Sequence, residues 1–153
     1  MGQPRLELGH PDRPIVRPDE YVKLGHVHTL QIADETFVAA DPAAVGRAVA
    51  DRAAWRRWFP DLLLEVVEER AEKGVRWTVA GPLTGTMEIW LEPVLDGVVL
   101  HYFLHAEPTG NTDPAKLKPA KMNHQRRVAG KRMAFEVKNR LEASRPVGVA
   151  PQL

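Results

Sequence analysis

Residues 74–107 read GVRWTVAGPLTGTMEIWLEPVLDGVVLHYFLHAE, three segments of alternating character punctuated by glycines. Asp96-Gly97 is a two-residue hairpin signal, because both central positions of a type I′ turn need positive φ. A turn there sets Leu95 opposite Val98 and, counting outward, Glu92 opposite His101, Trp90 opposite Phe103 and Glu88 opposite His105. Side chains alternate along a strand, so the hairpin has two faces. One carries Met87, Ile89, Leu91, Leu100, Tyr102 and Leu104 and is the face of a core. The other carries Glu88, Trp90, Glu92, His101, Phe103 and His105, an aromatic pair between two Glu-His pairs.

The preceding segment, Leu62 to Ala80, is a second hairpin turning near Lys73-Gly74, with Leu64, Val66, Val75, Trp77 and Val79 on its apolar side. Whether the two hairpins share a face depends on parity. An even loop over Gly81 to Thr84 would put Trp77 beside Glu88 and Trp90. An odd loop, or a bulge at one of the glycines, aligns it with Met87 and Leu91, and glycines are where bulges form. Alignment is the expectation. It turns the Glu-His pairs outward, consistent with the cost of burying an unpaired carboxylate.

Upstream, residues 26–40 (HVHTLQIADETFVAA) alternate as a strand. His26 and His28 share a side of it, an H-x-H pair that binds metal only if further ligands arrive from elsewhere, so no metal site is expected. Asp41-Pro42 opens a short helix, with Asp as N-cap and Pro in the first turn. Asp51 caps a second helix that Pro60 stops, and Trp55, Trp58 and Phe59 there should plug one end of the core. Residues 1–22 hold four prolines and no apolar period, so they read as an arm; residues 146–153 read as a tail.

Downstream, a long helix is expected from about Pro119 to Ala143. At 100° per residue, Arg126, Gly130, Met133, Ala134, Val137 and Leu141 share a stripe, while Val128 and Phe135 lie nearly opposite. Gly130 costs about 1 kcal/mol in a helix relative to alanine, which marks a close approach there. Lys116 to Arg145 carries ten basic residues against Glu136 and Glu142, although the whole chain of 153 residues is only +1. That stretch is a solvated face or a basic rim for an anionic head group, an acidic partner or a nucleic acid backbone.

Composition excludes several classes. There are no cysteines, so no disulfide or thiol chemistry. No apolar run reaches membrane-span length, and MGQPRLELGH lacks a signal-peptide core, so a cytoplasmic protein is expected. No Gly-rich phosphate loop or nucleic-acid module is present, so nucleic acid is not an expected partner, and no cofactor is expected.

The order strand, two short helices, at least four antiparallel strands and a long terminal helix resembles the START-like (SRPBCC, helix-grip) superfamily, in particular its polyketide cyclase/dehydrase-like actinobacterial branch. Phe37 to Val45 (FVAADPAAV), Trp55 to Leu62 (WRRWFPDL), Gly74 to Trp77, Gly85 to Gly97 (GTMEIWLEPVLDG) and Val137 to Glu142 (VKNRLE) carry the likeness, which spans about residues 24–145. The resemblance implies an α+β domain over residues 23–145, a curved antiparallel sheet gripping the C-terminal helix around an apolar tunnel for lipids, fatty acids or polyketides. No catalytic motif is shared across that superfamily.

The expected function is therefore binding or transport of a hydrophobic small molecule, with an anionic head group at Arg126 as one option. Its wall would be Trp58, Trp77, Met87, Ile89, Leu91, Leu100, Tyr102, Leu104, Gly130, Met133 and Val137. The alternatives are an aromatase/cyclase-like enzyme and an interaction module using the basic helix. Catalytic candidates for the enzyme are Tyr102, Glu88, His105, Glu92 and His101. Self-association would use Trp90 and Phe103, or Val128 and Phe135.

Overall fold

The computed structural model describes residues 28–110 and 114–143. The proposed arm, the tail, both domain boundaries and His26 lie outside the described residues. The elements run β1 (Leu30–Val38), α1 (Pro42–Val49), α2 (Arg52–Trp58), β2 (Leu63–Glu69), β3 (Gly74–Ala80), β4 (Leu83–Val94), β5 (Gly97–Pro108) and α3 (Pro119–Glu142), with 3₁₀ turns at Ala71–Lys73 and Pro114–Lys116. The strands form one antiparallel sheet in the order β1-β5-β4-β3-β2. Together with the long helix this is the expected helix-grip architecture.

Local chemistry explains the short helices. Asp51 accepts from the Ala53 amide at 3.1 Å and caps α2 as expected. Asp41 precedes Pro42 in an extended conformation but makes no side-chain cap bond. There the proline alone starts the helix, because its fixed φ is already helical.

The two hairpins align. Trp77 pairs with Met87 and Val79 with Gly85, so the connection is odd and hinges on Gly81 at φ +101°. Trp77, Met87, Ile89, Leu91, Leu100, Tyr102 and Leu104 share the concave face and are each 2% exposed or less. Burial of each such side chain contributes on the order of 1.5–3 kcal/mol.

The register of the β4–β5 hairpin differs from expectation by two residues. Val94 pairs with Gly97, Trp90 with His101, Glu88 with Phe103 and Thr86 with His105. The loop is Leu95-Asp96, and the positive φ (53°) falls on Leu95. Gly97 is spent elsewhere: a side chain there would collide with the Val38 carbonyl and the Phe37 ring on β1. A two-residue slip preserves the faces but changes the partners. Glu88 and His105 are therefore not directly opposite one another as the expected dyad required, and Glu88 pairs with Arg70.

The helix α3 lies along β1, an edge strand, and occupies several of its open backbone groups. Asn123 accepts from the Gln31 amide at 3.3 Å and donates to the Thr29 carbonyl at 3.2 Å. Lys131 donates to the Glu35 carbonyl at 3.1 Å, and Lys138 to that of Phe37 at 2.7 Å. These are alternate residues, the ones whose backbone points away from β5. The basic stretch is thus partly a seal on a strand edge that would otherwise template pairing with another chain.

A candidate ligand site between the sheet and the C-terminal helix

The inward stripe of α3 is as expected, but its burial is uneven. Gly130, Met133, Ala134 and Val137 are buried, whereas no residue from Pro119 to Ala129 is fully buried. The C-terminal half anchors the helix. The N-terminal half is held by Asn123 and by Arg126, whose guanidinium makes two hydrogen bonds, 2.9 and 2.6 Å, to the Asp61 carboxylate in the turn after α2. Arg126 thus stands at the rim without simply reaching into solvent: its side chain is only 18% exposed. The paired guanidinium holds the Asp61 carboxyl below its usual range, the hydrogen bond being the main cause.

A second clamp joins α2 to the middle of α3. Glu136 accepts from Arg57, at 2.5 Å in the closer contact, and from the Trp58 indole at 2.7 Å. Trp58, expected on the wall, is half-buried against the core with its indole N–H turned to Glu136, while Trp55 and Phe59 are the fully buried positions of this segment. The Trp55 ring meets Trp77 edge-on at 5.0 Å, and Phe59 stacks on Tyr102 at 6.0 Å. These residues were legible only as a generic plug. Asp61 was missed, its one signal being an acid directly after the Pro60 helix stop.

The middle of the grip is filled. Tyr102 reaches from β5 to the helix, where Gly130 leaves room for its ring. With the wall 0–2% exposed, the interior is closed in this structure. Two donors inside it have no hydrogen-bond partner among the described residues, the Trp77 indole N–H and the Tyr102 hydroxyl. Burial pushes the Tyr102 pKa well up, opposed weakly by Arg126, so the hydroxyl stays protonated and acts as a donor.

The remaining catalytic candidates stand on the opposite, convex face. His101 is stacked on Trp90 at 4.4 Å and lies between Glu92 (3.4 Å) and Glu35 (3.6 Å). Glu88 binds Arg70, and burial raises its pKa against the pull of that cation. His105 is stacked near His28 at 5.9 Å, with its pKa lowered by burial and then by that neighbour. The sheet separates all four from Tyr102, so no Glu-His pair can act on a molecule held inside. Trp90 is 2% exposed, which removes it as the centre of a dimer contact; Phe135 is 46% exposed. No group of three metal-ligating side chains occurs among the described residues. No helix there is long and apolar enough to cross a membrane.

An antiparallel sheet curved over one long helix, with two short helices closing the end, defines a helix-grip protein, and solved structures agree. Protein BH1534 from Bacillus halodurans superposes with a TM-score of 0.58 at 11% identity, over 76% of this chain and 100% of that one. The Aha1 dimer from Colwellia psychrerythraea gives 0.52 at 17% identity, over 76% and 99%. Ara h 8.0201 gives 0.50 at 14%, over 74% and 98%. At these identities the likeness is one of fold. No protein-family model and no curated protein matches the chain.

Proposed function

We propose that this protein binds a hydrophobic small molecule between the concave face of the sheet and α3. The observation that carries the reading is the pair of unpaired donors, Trp77 and Tyr102, buried in an apolar interior. Leaving each donor unsatisfied costs about 1–3 kcal/mol, a cost that an acceptor brought by a ligand would remove. Binding in the closed interior requires opening. The N-terminal half of α3 is the segment to move, because polar contacts hold it and no fully buried residue anchors it. Arg126 and Asp61 are its latch.

The test is titration with the neutral apolar fluorophore N-phenyl-1-naphthylamine. Saturable 1:1 enhancement of its emission is the expected result; no saturable binding contradicts the proposal. A second reading follows from the motifs that resemble the polyketide cyclase/dehydrase branch, an aromatase/cyclase-like enzyme. It is favoured by one feature, the protonated Tyr102 hydroxyl facing inward, which would polarise a substrate carbonyl. Turnover of a poly-β-ketone surrogate, lost in Tyr102→Phe, would establish it.

A further inference from the structure

The Trp77 and Tyr102 rings both pack against the C-terminal end of α2. The Trp55 carbonyl accepts from the Phe59 amide at 2.9 Å, so these two residues are one turn apart, and they touch Trp77 and Tyr102 respectively. Two other indoles in the fold have acceptors. Trp55 donates to the Val49 carbonyl at 2.6 Å and Trp58 to Glu136 at 2.7 Å. Trp77 and Tyr102 differ from them in standing within the same apolar face as Met87, Ile89, Leu91, Leu100 and Leu104, whose side chains offer no acceptor.

The charge around the pair is equally informative. Arg126 is the cation whose field reaches the Tyr102 hydroxyl, and it is already neutralised by two hydrogen bonds to Asp61. An indole N–H can only donate, and a buried phenol that stays protonated donates as well. An anion placed here would lose its hydration and would have to compete with Asp61 for Arg126.

We infer that the interior selects a neutral apolar molecule bearing an acceptor oxygen, such as a ketone or ester carbonyl, with the Trp77 indole N–H and the Tyr102 hydroxyl as its donors. This rests on the ligand-binding reading above and sets aside the anionic head group at Arg126 that the sequence left as one option. A carbonyl oxygen supplies the acceptor that these donors lack. A hydrocarbon leaves them unpaired, and a carboxylate adds a buried charge.

The experiment compares naphthalene, 2-acetonaphthone and 2-naphthoate at pH 8 as competitors of bound N-phenyl-1-naphthylamine. The ketone is expected to bind about three- to tenfold more tightly than naphthalene, the range one net hydrogen bond provides, and the carboxylate more weakly than the ketone. Tyr102→Phe and Trp77→Phe should each shrink the ketone-to-naphthalene ratio. In the wild-type protein the Trp77 indole resonance, assigned through its contact with the Trp55 ring, should move on adding the ketone and stay on adding naphthalene. That readout holds even if a variant fails to fold. If the fluorophore binds but the ketone has no advantage, the carboxylate is preferred, or none of the three competes, the inference is overturned and the binding function stands. If the fluorophore itself does not bind, both fall.

Discussion

Tyr102 of β5 lies directly against the backbone of Gly130 in α3, so that a methyl group at residue 130 would fall on the edge of its ring. Sheet and helix are in register at this point. It is the one place in the helix stripe where the residue type follows from what sits opposite rather than from helix propensity.

Gly130→Ala sets two effects against each other. Helix propensity favours alanine by about 1 kcal/mol, whereas forcing a methyl into the Tyr102 ring costs on the order of 1–3 kcal/mol. Sterics should win, giving net destabilisation in urea unfolding. Adding Tyr102→Leu should recover the propensity gain, a non-additivity expected only of residues in contact.

The Arg126–Asp61 latch makes stability and ligand exchange depend on pH. Asp61 has a folded pKa below its ordinary 3.8, so its contribution is complete above that value and is lost as pH falls through the depressed one. The Asp61 side chain is 50% exposed, so screening limits the effect to no more than about 1 kcal/mol. Asp61→Asn should flatten this acid limb of the stability curve. At neutral pH it should also speed dissociation of a bound fluorophore in stopped-flow measurements.

Glu88 behaves with the opposite sign. Its folded pKa is raised, mainly by burial, so its favourable contribution is present below the usual 4.5 and fades as pH rises through the raised value. It nonetheless partners Arg70 on the convex face, where the two side chains are 9% and 15% exposed. Glu88→Ala removes this charged hydrogen bond, while Arg70 keeps a longer contact of 3.9 Å with Glu68, and should cost about 1.5–3 kcal/mol of stability. Fluorophore affinity measured well below the melting temperature should not change, because the sheet stands between Glu88 and the interior.

Lys131→Met combined with Lys138→Met should uncover the β1 edge. Lys131 also bonds the Thr36 hydroxyl at 3.0 Å and Asp34 at 3.1 Å. Each lost bond costs about 0.5–1.5 kcal/mol, and the freed carbonyls of Glu35 and Phe37 invite strand pairing. Light scattering should show association that the wild-type chain lacks at the same concentration.

Much of this fold was legible from side-chain period alone. Two-residue alternation assigned Met87, Ile89, Leu91, Leu100, Tyr102 and Leu104 to one face, and it survived an error in register because a slip of two preserves parity. Asp96-Gly97 misled because the glycine answers to the Val38 carbonyl and Phe37 ring across the sheet, a non-local demand that no local turn signal contains. The same limit applied to the site. Tyr102, Gly130 and Arg126 could be read from stripes, but Asp61 enters only through the meeting of a turn with a helix 65 residues away. The roles of Lys131 and Lys138 depend on which strand lies at the edge.

The central claim is that a guest sits between the concave face and α3. The most direct measurement is a backbone and indole ¹H–¹⁵N spectrum recorded during titration with N-phenyl-1-naphthylamine. The account predicts saturable shifts at Trp77, Met87, Tyr102 and the first half of α3, with His101 and Phe103 on the convex face little changed. Shifts confined to the convex face, or none at saturating probe, would contradict it.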